Sequence, residues 1–144
     1  MESIDRTPGP AEARDALASI EHAQRAVRDT PWPTWIYPVN AVLVGAMAST
    51  FLLAEHGTLA LLAVASTVVG LNVAAGYRMG APWTVPTSRT FLAAVAASFL
   101  CVLAAMVVAD LTERAWPVVV LAIAATVIYL VGGVVHRRST GRPR

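Results

Sequence analysis

From Ile36 to Val135 the chain alternates long uncharged apolar runs with short polar clusters. Within that stretch only Glu55, Arg78, Arg89, Asp110, Glu113 and Arg114 carry charge, histidine aside. A spanning α-helix needs about 20 consecutive apolar residues. The pattern therefore predicts four spans, at residues 36–54, 58–76, 90–109 and 115–135. Glu55-His56-Gly57 reads as the turn of a tight helical hairpin in which Gly57 stops the first span. Asp110 to Arg114 reads as the turn of a second hairpin. Asp110 and Glu113 have capping-box spacing for the fourth span, and Pro117 falls in its first turn, where a missing N–H does little harm.

The two hairpins resemble each other. A gapless shift of 59 residues sets Ala46-Met47 on Ala105-Met106, AVASTVV (63–69) on AIAATVI (122–128) and Arg78 on Arg137. Two spans per unit keep both copies in one orientation, so the pattern reads as a weak parallel repeat. Such repeats occur in transporters and also arise from duplication of a packing unit.

Ahead of the spans the periodicity changes. Residues 1–10 read as a flexible tail, and Pro8-Gly9-Pro10 bars helix before Ala11. Residues 11–30 read as a cytoplasmic amphipathic helix ended by Pro31 and Pro33. Ala13, Leu17, Ile20, Gln24 and Val27 recur at spacings of 4, 3, 4 and 3, which places them on one face. Glu21–Arg25 and Arg25–Asp29 are supporting i,i+4 pairs. Helices that lie on membranes are rich in cations, with aromatic or leucine-rich apolar faces. This stripe is thin and lacks aromatics, so contact with protein is favoured over lying on the bilayer.

Composition agrees with a membrane protein. The chain of 144 residues is 56% hydrophobic and 14% charged, with a mean hydropathy of +0.60. Soluble domains carry about 25% charged residues. The positive-inside rule fixes the orientation. With the N-terminus cytoplasmic, Arg6, Arg14, Arg25, Arg28, Arg78, Arg89, Arg137, Arg138, Arg142 and Arg144 lie inside and Arg114 alone outside. Glu55 and His56 then meet external water. Residues 137–144 form a basic cytoplasmic tail that, with His136, anchors the topology. Some 35 residues precede the first apolar run, which argues against a cleaved signal peptide. All eleven basic residues are arginine, a bias that suggests a GC-rich genome. The net charge of +2 is no nucleic-acid signature.

Catalytic chemistry has little purchase on this pattern. His22, His56 and His136 fall on the cytoplasmic helix, the outer turn and the inner tail, and no cysteine cluster exists, so no metal or cofactor is expected. No Gly-rich phosphate loop is present, nor a nucleophile with a base close in sequence. No ionisable residue falls at mid-membrane, where proton-coupled transporters carry one. Small four-span multidrug transporters, which match the chain in size, have an acidic residue in their first helix. VNAVLVGAMASTFLLA has none.

Two sets of residues stand out within the spans. Asn40 and Asn72 each lie 16 residues from His56 on opposite arms of the first hairpin, and therefore at one depth. Ser98 and Tyr129 fall at a similar depth in the second. These form a candidate intramembrane polar cluster, since amides avoid lipid and seek hydrogen bonds worth ~0.6–2 kcal/mol. In the third span Ala93, Ala97, Cys101, Ala105 and Ala109 recur every four residues as a smooth ridge for helix packing. The lone Cys101 excludes an internal disulfide.

The run ALASIEHAQRAVRDTPWPTWIYPVNAVLVGAMA resembles the opening of small, uncharacterised four-span membrane proteins of high-GC Gram-positive bacteria. These have a short helix, then a Trp/Pro/Tyr segment, then the first span. The resemblance is specific over the N-terminal third and otherwise rests on hydropathy. It implies a bacterial plasma-membrane location and no catalytic residues.

The sequence therefore predicts an all-α integral membrane four-helix bundle, residues 31–136, with both termini cytoplasmic. The leading function is a non-enzymatic accessory, regulatory or self-assembling subunit whose partners are the bilayer and another membrane protein or itself. The runner-up is a small oligomeric transporter or channel for a neutral or lipophilic molecule, and a membrane-embedded enzyme comes third.

Overall fold

Every regular element in the computed structural model, which describes residues 9–28, 32–80 and 88–140, is helical. Residues 1–8 of the expected N-terminal tail and Arg142 and Arg144 of the basic tail lie outside the described residues. The elements are α1 (Pro10–Arg28), α2 (Ile36–Ser49), α3 (Gly57–Arg78), α4 (Arg89–Leu111) and α5 (Ala115–Thr140). Two 3₁₀ turns, Thr50–Leu52 and Ala54–His56, join α2 to α3. Pro10 opens α1 at a position where its missing N–H costs nothing, and Ala13 N–H donates to the Gly9 carbonyl at 2.9 Å.

Three helices, α3, α4 and α5, are long and apolar enough to cross a membrane, and Ile36–Leu52 is a shorter apolar helix. The regular part of α2 stops at Ser49, short of the expected 54. Its hydroxyls explain the change. Ser49 Oγ donates to the Gly45 carbonyl at 3.0 Å and Thr50 Oγ1 to the Met47 carbonyl at 2.7 Å, a local competition that bends and tightens helix ends. The α-helix and the 3₁₀ turn after it span about 27 Å, close to the ~30 Å of a hydrocarbon core.

Gly57 begins α3 rather than ending α2. A Cβ there would sit 2.9 Å from the Thr50 carbonyl oxygen, so the return of the chain needs glycine for space, not as a stop. The second turn is also tighter than expected. Asp110 belongs to the last turn of α4, and only Thr112–Arg114 separates α4 from α5. Asp110 therefore cannot cap α5. Thr112 closes α4 instead, its N–H donating to the Val108 carbonyl at 3.0 Å.

The core belongs mainly to α2, α4 and α5. Val44, Met47 and Ala48 of α2 meet Val102 and Ala105 of α4 and Val118, Ala122 and Ala125 of α5. Close approach comes from small residues, the usual means of helix association in lipid. A Cβ on Gly45 would overlap Thr126 Oγ1, and one on Gly132 would overlap the Ala94 methyl. The contact between α4 and α5 is the most extensive, followed by that between α2 and α5. α3 packs mainly on α2 and the 3₁₀ turns. The hairpins thus differ: the second is tightly joined, whereas the first opens to let α2 pack on α5.

Outward faces are as apolar as the interior. Leu59, Leu62, Leu100, Leu103, Val120 and Ile123 are all exposed. Helices that are apolar all round belong in a large core or in lipid, and three of these are long and apolar enough to cross a membrane.

Candidate functional site

The end of the helices remote from the two turns holds a cluster of amides and aromatic rings. Asn40, on α2, is 3% exposed. Its Nδ2 donates to Asn72 Oδ1 at 2.9 Å, and Asn72 Nδ2 donates back to Asn40 Oδ1 at 3.0 Å. The second proton of Asn72 Nδ2 goes to the Val68 carbonyl at 2.7 Å. The pair is thus a closed amide ring between α2 and α3, with a further bond into the α3 backbone. Asn40 therefore ties α2 to α3. The Tyr129 ring of α5 stands near the Asn40 side chain.

Of the four residues expected in the polar cluster, the structure brings Asn40, Asn72 and Tyr129 together. Ser98 is fully buried but turned to its own helix, Oγ donating to the Ala94 carbonyl at 2.8 Å. Hydroxyls in apolar helices commonly satisfy themselves this way.

Beneath the amides lies an aromatic group that the sequence reading passed over. Phe91 on α4 stacks on His136 of α5, with centroids 5.0 Å apart and planes 19° from parallel. Tyr37 meets Phe91 edge-on at 5.9 Å and His136 at 6.2 Å. Tyr129 meets Phe91 edge-on at 5.7 Å. Edge-to-face and offset arrangements are those that ring quadrupoles favour. Ile36 and Ala75 complete the core here, with Trp32 and Val95 against it. The signal available in sequence was spacing: Tyr129 and His136 are seven residues apart, and Phe91 opens α4 opposite them.

His136 is 5% exposed and belongs to this core, not to a solvated tail. The helix continues past the expected boundary at 135 and ends at Thr140. Arg137 and Arg138, on the same last turns, remain exposed.

The small-residue ridge of the third span does not bury as a unit. Ala105 is fully buried, Ala97, Cys101 and Ala109 are half-buried, and Ala93 is exposed. A period of four residues advances about 40° per step on a 3.6-residue helix, so five such positions wind about 160° around it. The face that packs follows a shorter period, through Phe91, Ser98, Val102 and Ala105.

Among the described residues, no group of three His, Cys, Asp or Glu side chains is placed to hold a metal ion. The assembled site consists of neutral amides, phenols and rings, so it can hold helices in register and form hydrogen bonds to a neutral group. Comparison with protein-family models, curated proteins and solved structures finds no match for this chain.

Proposed function

We propose that the chain is a multi-pass protein of the bacterial plasma membrane, with four spans and both termini cytoplasmic. Its role in this reading is that of a non-enzymatic subunit, accessory, regulatory or self-assembling, in a membrane complex. The observation that carries the reading is the state of α1. Leu17 and Ile20 are 62% and 53% exposed, and among the described residues α1 has no extensive contact with any other element. A formed helix that exposes Leu17 and Ile20 and carries no aromatic anchor suits docking on protein better than lying in lipid.

The alternative, a small oligomeric transporter or channel for a neutral or lipophilic molecule, draws on Asn40, Asn72 and Tyr129. It ranks second because the amides spend their hydrogen bonds on each other. The test is the mass of the full chain extracted directly from native membranes into lipid nanodiscs. The subunit reading expects an oligomer, or a defined complex with a second membrane protein, that Leu17→Ser with Ile20→Ser disrupts. A bare monomer of both the unaltered and the substituted chain overturns it.

A further inference from the structure

We infer that α3 is an exchangeable helix, able to leave the α2 of its own chain and dock on the α2 of a second copy through the same Asn40–Asn72 pair. The inference rests on the self-assembly reading above. Three observations lead to it.

Few of the buried core residues come from α3. All eight buried residues of the larger core come from α2, α4 and α5. From α3, Leu61, Val64, Ala65 and Val68 only lean against it. Ala75 is the one α3 residue buried in the smaller core.

The bond between α3 and α2 is polar and specific. The reciprocal amide bonds cross from one helix to the other, and an asparagine without a partner in hydrocarbon is costly. Release of α3 into lipid would strand both amides. Transfer to a second copy's α2 strands neither, because that helix carries its own Asn40. The amide pair thus selects the partner, a second copy of this chain.

The connection is short, tight and able to extend. Residues 50–56 form two 3₁₀ turns, closed by Leu53 N–H on the Thr50 carbonyl at 3.0 Å and His56 N–H on the Leu53 carbonyl at 3.0 Å. Straightened, seven residues reach about 24 Å, against the 8–10 Å that separates packed helices. Short hinge loops invite such exchange.

The test co-expresses two differently tagged copies, one Asn40→Leu and the other Asn72→Leu. Within its own chain, each variant leaves one amide facing leucine. An exchanged pair holds one Asn–Asn contact and one Leu–Leu contact and strands nothing. The mixed combination should therefore co-purify several-fold more than either variant with itself, and melt higher. Equal recovery of mixed and same-variant pairs overturns the exchange. Differently tagged unaltered copies run alongside. If these co-purify while the mixed pair shows no gain, assembly stands and exchange fails; if no combination co-purifies, both fail. Gly57→Ala covers the case in which the leucine variants do not fold. It strains the closed turn at the Thr50 carbonyl and should raise the dimer fraction of the otherwise unaltered chain. An unchanged fraction counts against exchange.

Discussion

The Tyr37 ring lies directly on the backbone of Gly133: a Cβ at position 133 would stand 2.8 Å from Tyr37 Cδ1 and 3.1 Å from its Cβ. The absence of a side chain on α5 lets the aromatic cluster close over α2. Gly133→Ala should therefore destabilise the protein by about 1–3 kcal/mol, the usual cost of overpacking. Gly70→Ala, where nothing lies within 4 Å of the added carbon, should cost nothing. Thermal unfolding of both variants in one detergent checks the contrast. Equal losses would mean that Tyr37 does not pack on Gly133.

Asn40→Leu and Asn72→Leu should be strongly non-additive in thermal stability. Removal of either amide strands the other, so the first substitution carries most of the penalty and the second recovers part of it. Additive effects in the double-mutant cycle would show that the two side chains do not bond.

The amide pair was legible in sequence because two equal arms of a hairpin place equally distant residues side by side. The apolar runs were legible too, since their lengths are set by the bilayer. Partner choice was not. Nothing in the pattern says that α2 packs more on α5 than on α3; that follows from Gly45 fitting against Ala122 and Thr126, a match of shape rather than polarity. His136 was obscured by its neighbours, because two following arginines make it look like the start of a solvated tail. Burial of His136 depends on α5 carrying it onto Phe91, a tertiary fact. The alanine ridge was legible only in part: Ala105 is buried and Ala97, Cys101 and Ala109 are half-buried, while Ala93 is exposed, because a four-residue period winds slowly around the helix.

Cys101 sits half-buried against the core formed by α2, α4 and α5. A disulfide between two copies needs Cα atoms about 4.4–6.8 Å apart, which would require that face of α4 to be the seam of a symmetric dimer. Copper-phenanthroline oxidation of native membranes should give no dimer band. A strong band removed by reductant would move α4 from the subunit interior to an interface.

An external Glu55 turn and a cytoplasmic C-terminal end of α5 define the proposed membrane topology. Single cysteines at Glu55 and Arg138, both exposed, in a Cys101→Ala background, are challenged with an impermeant maleimide on intact cells and again after lysis. Glu55→Cys should label on intact cells and Arg138→Cys only after lysis. Labelling of Arg138→Cys on intact cells, with Glu55→Cys protected until lysis, would contradict that topology.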